Sequence, residues 1–150
     1  IAPVNGGVVD GIQGALTIVG NGNDVLNIDD TGSVMDKTGT LTSSTLTGLG
    51  MGAGGITFSG ISVLNIGLGS GSDTLTIVNT PSVPANINGN NGNDTFNVQG
   101  TTGVTNLDGG AGNVSFGEVI DFDHGSHSTS GSAGREYARR GSFTAFPRGS

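Results

Sequence analysis

The chain has no cysteine, and its first 134 residues contain a single base, Lys37. Without cysteine no disulfide staples the fold, so in either redox compartment a strand stack or a metal has to take that role. No apolar run approaches the roughly twenty residues that a membrane-spanning helix needs. Hydrophobic residues make up 33% of the chain and aromatic residues 5%, against 30 glycines in 150 residues. That composition is poor material for a compact globule. It suits thin stacked coils, in which small residues let backbone layers approach. Charged residues are only 11%, and Thr, Ser and Asn are abundant, which argues against the expanded, charge-driven kind of disorder. The chain opens on Ile1 with no recognisable signal peptide, and reads as a processed or excised piece.

The few charges are unevenly placed. Residues 1–134 hold eleven acids against Lys37, a net −10. Residues 135–150 hold Arg135, Arg139, Arg140 and Arg148 against Glu136, a net +3. An acidic body repels phosphate backbones, which argues against a nucleic-acid partner. It attracts divalent cations.

What the sequence does contain is a repeat. The stretches VGNGNDVLNI (19–28), LGMGAGGITF (49–58), LGSGSDTLTI (68–77), GNNGNDTFNV (89–98) and GGAGNVSFGE (109–118) share one frame. The frame position holds Asp24, Gly54, Asp73, Asp94 and Val114, in steps of 30, 19, 21 and 20 residues. A period of about twenty, with an insertion in the first step, is the signature of a solenoid. After each frame the residues alternate: Leu26 and Ile28, Ile56 and Phe58, Leu75 and Ile77, Phe96 and Val98. A period of two puts each pair on one face of a strand. Ile66, Ile87 and Leu107, each seven residues before a frame position, mark a second strand per coil. Pro81 and Pro84 fit the looser return, because neither can donate to a ladder.

The expected fold is therefore all-β, a parallel β-solenoid of about five coils. Residues 1–14 form a cap or partial coil and 15–124 the solenoid, with an insertion within 29–48. Residues 125–150 read as an irregular Ser/Gly/Arg tail, whose closing FPRGS resembles a thrombin-type cleavage scar of vector origin. Ile56, Leu75, Phe96 and Phe116 are expected to stack in one core column, with Phe58, Ile77 and Val98 beside it. Glu118 in the fifth frame marks the end of the stack, because an inward carboxylate is costly.

The frame resembles the nonapeptide G-G-x-G-x-D-x-U-x of the RTX (hemolysin-type) calcium-binding repeat proteins, U being a large apolar residue. Gly71 to Leu75, Gly92 to Phe96 and Gly22 to Leu26 match its second half. The resemblance implies extracellular calcium bound at the turns. Asp73, Asp94 and Asp24 would supply charge, and Gly69, Gly71, Asn90 and Gly92 turn carbonyls, since calcium takes six to eight oxygens. One good site is expected, between the third and fourth coils, where Asp73 and Asp94 are neighbours. A metal-free reading stays open, because Asn, Gly and Asp also favour left-handed turns without any ion.

Other groups carry less. Asp121, Asp123, His124 and His127 lie at the break in composition and read as solvated. Asp29 and Asp30 read as a loop after a strand. Thr-x-Thr pairs at 38/40/42, 45/47 and 74/76 read as ordinary strand threonines off the coil period. The expected function is a non-catalytic, extracellular or cell-surface calcium-binding segment of a larger protein: a spacer, an adhesin module, or a subunit joining copies of itself head-to-tail into filaments. The alternatives are a polysaccharide-modifying β-helix enzyme, disfavoured because such sites use bases that the body lacks, and an ice-binding solenoid.

Overall fold

The computed structural model describes residues 6–117, 137–139 and 142–145. Among them the fold is all-β, without a helix. The strands are β1 (Leu16–Asp29), β2 (Thr38–Leu41), β3 (Thr45–Gly48), β4 (Ile56–Gly67), β5 (Thr74–Ile77), β6 (Ala85–Asn88), β7 (Thr95–Val98), β8 (Thr105–Asp108), β9 (Asn113–Gly117), β10 (Tyr137–Arg139) and β11 (Ser142–Ala145). All join one sheet in the order β10-β9-β7-β5-β2-β3-β4-β6-β8-β11, with β1 paired to β4.

Two parallel ladders dominate. In the first, the end of β1 pairs with the end of β4, then β6, then β8, so that Ile28, Ile66, Ile87 and Leu107 form one buried column. In the second, β2, β5, β7 and β9 pair in turn. Leu75, Phe96 and Phe116 stack there, beside Leu41, Ile77 and Val98, as their period-two spacing requires. The Phe96 and Phe116 rings lie 6.0 Å apart between centroids, 27° from parallel. Leu41, Leu75, Ile77 and Phe96 are fully buried. The same short strands recur because Thr, Val, Ile and Phe suit a half-buried pleated surface.

The sheet is mixed, not purely parallel. β3 runs antiparallel to both β2 and β4, β10 antiparallel to β9, and β11 antiparallel to β8. The ladders hold four rungs, not five, and the extra chain, Thr42–Ser62, begins inside the expected 29–48 and runs on past it. Its start is a hairpin: Thr42 Oγ1 accepts the Thr45 backbone N–H at 2.9 Å, reversing the chain into β3. Ile56 and Phe58 therefore leave the expected column. Ile56 pairs with Leu16 on one side and Leu46 on the other, and Phe58 with Ile18. Gly39 and Leu41 take their places beside Leu75 and Ile77. A side chain on Gly39 would collide with buried Leu49, whose positive φ of 51° turns it into that gap.

Thr38 and Thr40 lie in register against Thr74 and Thr76, and these against Thr95 and Asn97. Thr-x-Thr thus does follow the rungs here, once the register is read from Lys37. Two pieces of the tail, β10 and β11, are strands rather than irregular chain. Glu118, Asp121, Asp123, His124 and His127 lie outside the described residues.

Candidate functional site

The turns between the two ladders carry the distinctive residues. Gly67, Asn88 and Asp108 stand side by side as the last residues of the first ladder. Asp73, Asp94 and Val114 stand six residues later, just before the second ladder begins. The matching position in the first rung is Lys37, since Thr38 pairs with Thr74. Asp24 and Gly54 are not in this column. Asp24 lies within β1, at a bulge where the pairing with β4 shifts register.

Three of the four turns are opened by an Asx bond; the one after Gly67 has no side chain to make it. Asn88 Oδ1 accepts the Asn90 N–H at 2.8 Å, Asp108 Oδ1 the Gly110 N–H at 2.9 Å, and Asp29 Oδ1 the Thr31 N–H at 3.0 Å. These bonds favour the left-handed conformation seen at Asn90 (φ 62°) and Gly110 (φ 65°). Further on, Gly71, Gly92 and Gly112 let successive turns stack. A side chain on Gly92 would strike the carbonyl oxygen of Gly71, and one on Gly112 that of Gly92. These glycines serve close approach between rungs.

Two of the frame aspartates, Asp73 and Asp94, point inward. Asp73 is 1% exposed and Asp94 0%. Asp73 Oδ1 accepts the Lys37 backbone N–H at 2.8 Å, and its Oδ2 the Gly69 N–H at 3.1 Å. Asp94 Oδ1 in turn accepts the Asp73 N–H at 2.9 Å. Each carboxylate thus caps the backbone of the rung before it. Asp94 Oδ2 is buried with no hydrogen-bond partner. Burial pushes the Asp94 carboxyl up to about 6; the Asp73 N–H opposes this and the Asp73 charge adds to it. Burial raises Asp73 as well, against the N–H groups of Lys37 and Gly69; the Asp30 charge adds to the rise, and that of Lys37 opposes it.

No protein-family model matches this chain, and neither a curated protein nor a solved structure matches it.

The cation of this column belongs to the chain itself. The Lys37 ammonium bonds both oxygens of Asp30 at 3.0 Å and also Asp10. The Lys37 side chain is 7% exposed and that of Asp30 1%. Burial works against the lysine charge, but the bonds to Asp10 and Asp30 outweigh it and hold the ammonium above its ordinary range. Asp30 Oδ1 also accepts the Val9 N–H at 3.1 Å, tying residues before β1 to the first turn.

Sequence reasoning missed Lys37, although a signal was present: Lys37-Thr38-Gly39-Thr40 parallels Asp73-Thr74-Leu75-Thr76.

The calcium implied by the RTX resemblance would have to sit on this donor set. Asp73 faces N–H dipoles at both oxygens and Asp94 at one, which a bound cation would oppose. The Gly71 and Gly92 carbonyl oxygens lie against the next turn's glycine. Asp94 Oδ2 is the one unpartnered carboxylate oxygen of the pair. That set does not fit a calcium shell of six to eight oxygens. Among the described residues no cluster of three or more His, Cys, Asp or Glu is placed to hold a metal. Exposed Asp24 is satisfied locally: its Oδ2 accepts the Asn21 N–H at 2.7 Å.

A second rung-to-rung device lies on the outer face. Asn65 Nδ2 donates to Asn27 Oδ1 at 2.7 Å, Asn86 Nδ2 to Asn65 Oδ1 at 2.8 Å, and Asn106 Nδ2 to Asn86 Oδ1 at 2.8 Å. This amide row and the aspartate caps flank the same buried columns.

Proposed function

We propose that this chain is a non-catalytic β-solenoid segment of a larger exported or cell-surface protein, acting as a structural spacer. One observation carries the reading: residues at matching places in successive rungs bond to one another, as in the row Asn27, Asn65, Asn86 and Asn106. The caps from Asp94 to Asp73 and from Asp73 to Lys37 repeat the same logic inside. Stacked repeats of this kind contact mainly their neighbours, so their stability is close to a sum over rungs. The export reading rests on the likeness of Gly71 to Leu75 and Gly92 to Phe96 to the RTX half-repeat. The cation that the turn column does carry, the Lys37 ammonium, pairs with Asp30 and Asp10 rather than with the frame aspartates.

Two measurements test this. Deleting residues 74–94 removes one period and joins Asp73 to Thr95. The shortened chain is expected to keep its β circular dichroism and melt at a lower temperature, as a stack short of one rung. Complete loss of β structure would mean that the rungs are not interchangeable units. In parallel, the melting temperature of the full chain is expected to be the same in calcium and in chelator. A calcium-dependent rise that Asp73→Asn abolishes would restore the metal-bound reading at this edge, because a ligand that binds only the folded state must stabilise it.

A further inference from the structure

The two ends of the stack differ. At the far end, β8 and β9 are covered by β11 and β10. At the near end, β1 pairs with β4 and, among the described residues, with no other strand. This leaves β1 an edge strand open along one side from Leu16 to Ile28; at Asp29 that side is covered by Gly7, whose N–H bonds Asp29 Oδ2 at 2.8 Å. Open edges are templates for another strand.

β1 has the features of an unfinished surface. Val19 is 75% exposed and Val25 52%, both large apolar residues on its outer face. Leu16 is exposed, and Ile18 and Leu26 are only partly buried against the core, whereas their partners Phe58 and Leu64 are buried. The amide row stops here too: Asn27 Oδ1 accepts from Asn65, while its Nδ2 has no acceptor among the described residues.

We propose that the occupant of this edge is β1 of a second copy, running antiparallel about a two-fold axis through Gly22. The strand sequence LTIVGNGNDVLNID is close to palindromic in character about that residue. Leu16 would face Ile28 of the second copy, Ile18 would face Leu26, and Val19 would face Val25. Directly opposed residues in an antiparallel pair share a face, so apolar meets apolar on both faces. Thr17 would face Asn27, offering its hydroxyl to the open amide. Asp24 would face Gly20 and Asp29 would face Ala15, so no two carboxylates stand directly opposed. The bulge between Val19 and Asp24 lies on the axis, and the arms 16–19 and 25–28 make the ladder. The contact is isologous and closes on itself, giving a dimer. A head-to-tail filament would instead set β1 against the terminal strands β10 or β11, which are three and four residues long and match little of its length. This goes beyond the spacer reading and stands or falls without it.

The test is sedimentation equilibrium of the chain over a wide concentration range, beside Val19→Lys. The wild type is expected to shift from monomer to dimer with concentration and to stop there. Val19→Lys, an outer-face change that leaves the core columns intact, is expected to stay monomeric and to melt where the wild type melts at concentrations low enough to keep it monomeric. Because the chain has no cysteine, orientation can be read by disulfide trapping. A mixture of Val19→Cys and Val25→Cys chains is expected to cross-link across the mixture, and each variant alone far less. A wild type monomeric throughout, a species growing past the dimer, a dimer that survives Val19→Lys, or stronger trapping within one variant than across the mixture would each overturn the proposal.

Discussion

The backbone N–H of Asp73 donates to Oδ1 of Asp94, 2.9 Å away and one rung along, and both carboxyl groups are buried. One aspartate is therefore both capped residue and cap, since its own Oδ1 accepts from Lys37. The column runs Lys37, Asp73, Asp94 and then Val114, which is 1% exposed and apolar. Charge enters at one end beside an ammonium and stops where a valine replaces the next carboxyl.

Stability should depend on pH through Asp94. Its folded value near 6 lies above the ordinary aspartate value near 4. The folded state therefore takes up this proton first, so stability is gained as pH falls from about 6 toward about 4 and is lost as pH rises back through 6. Asp73, raised by burial, acts in the same direction. The raised Lys37 does not titrate in this window. Thermal melts are expected to be higher at pH 5 than at pH 7.5. Asp94→Asn keeps the acceptor for the Asp73 N–H and removes the charge, so it should flatten this profile and raise stability at pH 7.5. A wild type equally stable at both values would remove Asp94 as a buried titrating group.

Lys37 should matter more than an ordinary surface lysine. It pairs with Asp30, whose side chain is 1% exposed. Lys37→Met preserves most of the side-chain volume and strands that carboxylate. Removing one partner of a buried pair costs about 3–5 kcal/mol. Denaturant unfolding is the measurement, and a loss below about 1 kcal/mol would place the pair among weak surface bridges.

Phe96 tests the register of the second ladder. It is fully buried, between Leu75 and Phe116 in the stack. Phe96→Ala is expected to cost about 3–5 kcal/mol, as other large-to-small core changes do. Val78, 44% exposed next to buried Ile77, is the control: Val78→Ala should be nearly neutral. Similar costs for the two would mean that the inward face is misassigned.

The strands and their inward residues were legible in the sequence wherever the rungs are regular. Leu75, Phe96 and Phe116 stack as their spacing implies, and so do Ile66, Ile87 and Leu107. The first half was misread because the GNGND stretch ending at Asp24 has the composition of a coil turn. Locally it behaves like one, with Asp24 capping a nearby N–H as Asp73 does. What local chemistry does not fix is whether such a segment ends a strand or bulges within it, and here the long partner β4 makes it a bulge. A better guide was available in Leu26-Asn27-Ile28, Leu64-Asn65-Ile66, Ala85-Asn86-Ile87 and Thr105-Asn106-Leu107. Those asparagines are the amide row, and they align the first rung correctly. The calcium expectation turned on the same ambiguity. A glycine beside an aspartate suits a carbonyl cage, but it equally suits a turn pressed against its neighbour, and only the path of the backbone separates the two.

The amide row also has a polarity. Every bond in it is donated from the later rung to the earlier one, so Asn27 presents an idle donor at one end and Asn106 contributes its acceptor toward the other. A duplicated rung would find an acceptor behind it and a donor ahead, wherever in the row it was placed. Gene-level gain or loss of one twenty-residue unit would thus leave the bonding rule intact, and length becomes a trait that varies in whole steps of about 4.8 Å.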